Sequence, residues 1–188
     1  MRFLIFEMPT DATLALHERL LDEVCTWVRA CDEPPLYNEE ALVTRGIEVT
    51  PCAFAEGSGA PPADVLQTWL DVCGVASARA RKRGGSPRTI AVHDVSGLGR
   101  APLLVALALV EAGLPADTAL SEIRNVRRGA LGKHQRAIVR DHVPTRSDAA
   151  RRRGSWLREA AYCSSYCQFG TEMSVVCVCV EHQHCQPS

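Results

Sequence analysis

Apolar positions along this chain change period several times, and each change marks an element. Residues 2–5 alternate and read as a short strand. Thr10 or Asp11 can cap a helix running to about residue 22. The run Val24-Cys25-Thr26-Trp27-Val28-Arg29-Ala30 predicts a second strand, and Pro34-Pro35 breaks the chain after it. A short helix over 39–44, closed by Gly46, precedes a third strand over 47–51. Glu56-Gly57-Ser58-Gly59-Ala60-Pro61-Pro62 reads as a flexible loop ending in a proline-started helix. That helix places Val65, Leu66, Trp69, Leu70, Val72 and Cys73 at helical spacing and runs to about residue 81. A basic, glycine-containing turn over 82–87 leads into Thr89-Ile90-Ala91-Val92-His93, whose unbroken apolar character suits a buried central strand. Residues 100–112 are almost wholly apolar and predict a buried helix, ended by Gly113. Further helices are expected over 117–126 and 133–141. Strands interleaved with helices predict an α/β sandwich, a mainly parallel central sheet flanked by helices. The domain is expected to occupy residues 1–143. Residues 144–188 are expected to be a tail, partly disordered, whose apolar run over 175–180 could pack on the domain as a strand.

Composition narrows the function classes. The 188 residues are 46% apolar and 23% charged, a globular balance. A net charge of −1 gives no overall attraction for nucleic acid, so any anion site must come from local arrangement. No apolar stretch has the length of a membrane-spanning helix. Glu7 and Asp11 interrupt the N-terminal apolar run where a signal peptide would continue, so a cytoplasmic location is expected. Nine cysteines show no zinc spacing, and no metal or cofactor is expected. Most of the thiols read as small apolar packing groups.

The chemistry concentrates in His93-Asp94-Val95-Ser96-Gly97-Leu98-Gly99-Arg100, between the buried strand and the buried helix. Gly97 and Gly99 let the backbone curl so that successive N–H groups point inward. Such a nest at a helix N-terminus favours an anion. Arg100 adds a planar fork matching two phosphate oxygens.

In this setting the segment resembles the cysteine-dependent tyrosine phosphatases, which carry His-Cys, five residues and Arg. The PRL (phosphatase of regenerating liver) branch is similar over about residues 1–142. The likeness starts at MRFLI with Pro9-Thr10 and Ala12-Thr13-Leu14. It continues at Val28-Arg29-Ala30-Cys31, Gly46-Ile47 and Gly59-Ala60-Pro61-Pro62. It is densest in IAVH, GLGRAP, LVALALVE and RRGA. Ala101 after the loop arginine, where most relatives have Ser or Thr, marks this branch.

The resemblance assigns roles and exposes departures. The family's nucleophile falls on Asp94. A relative's thiolate attacks phosphorus, whereas a carboxylate is a poorer nucleophile and brings its own negative charge. Like charges about 4 Å apart repel by roughly 4 kcal/mol at an effective dielectric near 20. Asp94 is therefore expected to fold back into the loop of Val95, Ser96, Gly97, Leu98 and Gly99 as a tethered internal anion, with Arg100 as a further partner. Glu56 falls on the general-acid position, although Ser58-Gly59 resembles an insertion there; it reads equally as a solvated loop residue. His93 is implied to orient the loop. Cys31 matches a cysteine that forms a regulatory disulfide with the nucleophile in the family, a pairing Asp94 disallows; the plain alternative is a buried thiol. Arg127-Arg128 resemble a basic pair near the substrate groove, or a solvated helix end. Cys185, four residues from the end in Cys185-Gln186-Pro187-Ser188, occupies the family's prenylation position, although Gln186 and Pro187 are not aliphatic. Arg151-Arg152-Arg153 is a second signal for peripheral membrane association, or a solvated run.

The expected function is a PRL-like pseudophosphatase that binds a partner through its phosphate-loop face. The family implies a phosphoprotein or a CBS-domain magnesium transporter as that partner. The alternatives are a phosphatase with residual activity, a phosphatase whose nucleophile was engineered away, or a lipid-anchored scaffold.

Overall fold

The computed structural model describes residues 1–16, 18–57, 59–79 and 89–145, together with the backbone of 80–82, 160–163 and 176–182. Strand β1 (Arg2–Glu7) is followed by helices α1 (Asp11–Leu16) and α2 (Glu18–Glu23), lying either side of residue 17 within the single expected helix. Thr10 caps α1, its hydroxyl accepting from the Thr13 N–H at 3.3 Å. Strand β2 (Val24–Arg29), helix α3 (Glu39–Thr44) and strand β3 (Glu48–Pro51) follow. Then come α4 (Ala63–Lys82), β4 (Thr89–Asp94), α5 (Arg100–Glu111), α6 (Ala116–Val126) and α7 (Lys133–Asp141). Two later strands, β5 (Ala160–Cys163) and β6 (Val176–His182), complete the sheet.

Among the described residues six strands form one sheet, ordered β3-β2-β4-β1-β6-β5. Strands β3, β2, β4 and β1 run parallel, and β6 pairs antiparallel with β1. The apolar run of the tail thus joins the domain's sheet. The expected disorder of the tail and the candidate lipid site at Cys185 lie outside the described residues.

Alternation along the central strands feeds two apolar layers. Phe3, Ile5, Ile90 and Val92 pack with Trp69, Leu104 and Ile123 on one face. Leu4, Phe6, Trp27 and Ala91 pack with Leu14, Tyr37 and Leu42 on the other. Both faces are covered, which is why β1 and β4 are apolar throughout rather than alternating with polar residues. Helix α5 is buried along its whole length, from Arg100 to Glu111, which explains its apolar circumference. The Trp69 indole N–H bonds the Leu104 carbonyl at 2.7 Å, fixing α4 against α5. Strand β4 lies between β2 and β1, so the carboxyl ends of three parallel strands meet where the glycine loop begins.

Candidate functional site

Strand β4 ends at Asp94, and the chain curls through residues 95–99 into the first turn of α5. Gly97 makes this curl feasible. Its φ is +66°, and a Cβ built on it would lie 2.5 Å from the Phe6 carbonyl carbon. Leu98 is tied outward, its carbonyl accepting from the Leu131 N–H at 2.9 Å.

The Asp94 carboxylate lies inside the curl and is 2% exposed. Oδ1 accepts N–H bonds from Ser96 at 2.9 Å and from Gly97, and the Ser96 hydroxyl lies 3.4 Å away. Oδ2 accepts the Ala101 N–H at 2.8 Å. Three backbone donors therefore point at one carboxylate, and the positive end of α5 faces it.

Arg100 departs from its expected place beside Asp94. Its guanidinium points toward the end of β2, where Nη1 donates to Asp32 at 2.7 Å and to the Phe54 carbonyl at 3.1 Å. Nη2 donates to the two Glu33 oxygens at 3.0 and 2.8 Å. The reason is competition: Asp94 is already satisfied by backbone donors, while Asp32 and Glu33 offer unneutralised charge. Glu56 reaches the same guanidinium at 4.0 Å but is 80% exposed at its side chain, so it sits at the mouth. A cleft of about 100 Å³ lies among Phe54, Glu56, Asp94, Arg100, His134 and Gln135.

His93 sits behind the loop and is fully buried. Its Nε2 lies 2.8 Å from the Tyr37 hydroxyl, which accepts the Trp27 indole N–H at 2.8 Å. Burial pushes the imidazole pKa down to about 4, so the ring is neutral. Here the side chain anchors the strand end in an aromatic cluster with Phe6 and Trp27. Cys31 is fully buried, and burial raises its thiol to about 11, against a smaller opposing effect of Arg100. That makes it a poor thiolate.

Arg127 is not a solvated helix end; it lies behind the loop beside Ser96, which lines the cleft. It is 6% exposed, with Nε donating to the Gly97 carbonyl and Nη2 to the Ser96 carbonyl at 2.9 Å. It grips the outer carbonyls of the two peptides next to the nest, while Arg128 is exposed. Sequence reasoning missed Arg127's role, and it missed Asp32, Glu33, Tyr37 and Gln135. A cysteine followed by two acids and two prolines at a strand's carboxyl end was the available signal for the acid pair. Among the described residues no three His, Cys, Asp or Glu side chains converge on a cation position, and no helix is long and apolar enough to cross a membrane.

Comparison with known proteins places this geometry. No family model matches the chain. A Drosophila melanogaster PRL-1 phosphatase is 39% identical over 146 residues, covering 77% of this chain and 78% of the relative. Human protein tyrosine phosphatase type IVA 3 is 39% identical over 146 residues, 77% of this chain and 80% of the relative. A Trypanosoma cruzi protein tyrosine phosphatase PRL-1 is 40% identical over 138 residues, 71% and 73% of the two chains. Among solved structures, a protein tyrosine phosphatase from Leishmania major superposes with TM-score 0.65 at 37% identity, covering 75% of this chain and 87% of that one. PTPMT1 in complex with PI(5)P, at 16% identity and TM-score 0.58 over 74% and 88% of the chains, shares the fold.

Proposed function

The chain belongs to the PRL, or type IVA, family of protein tyrosine phosphatases, and from that premise we propose that it is a non-catalytic member that binds a partner through its phosphate-loop face. The observation carrying this reading is the Asp94 carboxylate, which takes the Ser96, Gly97 and Ala101 N–H groups. Those donors would otherwise be available to phosphate oxygens. By resemblance Asp94 stands at the nucleophile position. There it removes the thiolate and fills the cradle with a charge that repels a phosphate dianion. At 1.4 kcal/mol per decade, roughly 4 kcal/mol of repulsion corresponds to about a thousandfold weaker phosphate binding. The acid side is weak as well, since Glu56 is largely solvated and held near Arg100 rather than fixed over the loop.

The partner classes are a phosphoprotein or a CBS-domain magnesium transporter, carried over from the family resemblance alone. Lipid anchoring through Cys185 would make the protein peripheral to a membrane. Fractionation of cells expressing wild type and Cys185→Ser reads this directly. A lipid-anchored protein moves to the soluble fraction on substitution, and an unchanged distribution ends that part of the reading.

The activity test uses a phosphotyrosine peptide and metal-free buffer. Wild type should release no phosphate above the protein-free rate, while Asp94→Cys should gain measurable release. Equal activity in the two proteins would sink the reading. The second reading, an active phosphatase, draws on Glu56 and Arg100 sharing one cleft, as an acid and a phosphate-binding group would. It requires the opposite outcome.

A further inference from the structure

Among the described side chains, Cys25, Cys31, Cys52 and Cys73 are free thiols. Burial raises Cys31 and Cys52 to about 11, so neither is an effective thiolate near neutral pH. The other five cysteines lie in the tail. The backbone of its two strands sets two of them against each other. Cys163 of β5 and Cys179 of β6 are register partners in an antiparallel pair.

Directly opposite residues of antiparallel strands hold their Cα atoms about 4.5 or about 5.5 Å apart, depending on the hydrogen-bonding position. A disulfide spans Cα separations of about 4.4–6.8 Å. Either position therefore suits a bridge with no movement of the backbone. Opposed residues also share a face of the sheet. Cys177, two residues before Cys179, shares that face as well. The rise of the strand puts it roughly 6.7 Å from Cys179, at the limit of the bridging range. Register thus selects Cys163 as the partner of Cys179.

A covalent tie at this position has a structural consequence. Strand β6 lies between β5 and β1, and Cys179 is itself opposite Arg2. On its other side β1 pairs with β4. The β5–β6 pair thus covers what would otherwise be an open edge of the apolar strand β1. Residues 164–175 connect β5 to β6, and a cross-link constrains a chain most when it closes a long connection.

We propose that Cys163 and Cys179 form a reversible cross-strand disulfide, a redox staple that fixes the β5–β6 pair over the edge of β1. The oxidant is a low-molecular-weight disulfide such as oxidised glutathione. One protein thiolate attacks a glutathione sulfur, forming a mixed disulfide and releasing one glutathione thiolate. The second protein thiolate attacks the protein sulfur of that mixed disulfide and displaces the other glutathione, so the Cys163–Cys179 bond forms. Two protein thiols are oxidised, one glutathione disulfide is reduced to two thiols, and the two protons pass to those thiols. The staple is independent of the reading of Asp94.

The test incubates the full chain with oxidised glutathione, blocks the remaining thiols and digests after glutamate. Cleavage at Glu159, Glu172 and Glu181 places Cys163 in fragment 160–172 and Cys179 in fragment 173–181. Mass spectrometry of the monomer band should find these fragments joined in wild type, Cys167→Ser and Cys177→Ser. They should be separate in Cys163→Ser and in Cys179→Ser. Hydrogen exchange over 176–182 should slow by about tenfold on oxidation of wild type and stay unchanged in Cys179→Ser. Separate fragments in oxidised wild type would overturn the proposal, as would joining that survives Cys163→Ser or Cys179→Ser. Joining without slowed exchange would overturn the staple, because the bond would then not hold the pair on the sheet.

Discussion

Asp94 and His93 are neighbours in sequence, yet burial treats them oppositely, and the difference is one of donors. Asp94 is buried as a charge because three N–H groups converge on it. His93 is buried among Phe6, Trp27 and Tyr37 with a neutral hydroxyl as partner, so its charged form is disfavoured. This has a pH consequence with a definite sign. The folded-state pKa is about 4, below the ordinary 6.5, so in acid the unfolded chain takes up a proton that the folded chain refuses. The contribution is intact above 6.5 and is lost as pH falls toward 4. Urea unfolding at about pH 7 and about pH 5 should show wild type losing on the order of 2 kcal/mol more across this interval than His93→Gln. Parallel losses in the two proteins would contradict the buried neutral imidazole.

At the scale of elements, the site is one strand–loop–helix unit with braces from elsewhere. The unit itself was legible in the sequence because its signals are local. An unbroken apolar strand, two glycines and an arginine opening an apolar helix fall within a dozen residues. The braces were not legible. Asp32 meets Arg100 across 68 residues of chain, and Arg127 meets Ser96 across 31. Periodicity specifies which residues form strands but not that β2 lies beside β4, and that adjacency delivers the acid pair. For the same reason the sequence left Arg127 open between a basic residue near the groove and a solvated helix end. The loop's dependence on close approach gives a test at this scale. Gly97→Ala adds a Cβ 2.5 Å from the Phe6 carbonyl carbon at a positive φ. It should cost more than about 1 kcal/mol of stability, read by chemical denaturation. A neutral substitution would mean the curl is not as tight as described.

For the molecule as a whole, the sheet order was open from sequence, whereas its composition was not. Apolar runs at β1 and β4 required cover on both faces, and helices supply it. The fate of the tail was the open question. Its strand β6 lines the outer edge of β1, so part of what read as an appendage completes the sheet. The same whole-molecule view explains how a chain of net charge −1 holds an anion site at all. The positive potential comes from oriented peptides and from the Arg100 guanidinium, and internal carboxylates already answer both. The loop face is therefore described best as a self-filled anion cradle. The most direct measurement titrates inorganic phosphate into wild type and into Asp94→Ser by calorimetry. No detectable binding to wild type, with binding restored when the carboxylate is removed, is the expected result. Equal or tighter phosphate binding by the wild-type chain would contradict the account.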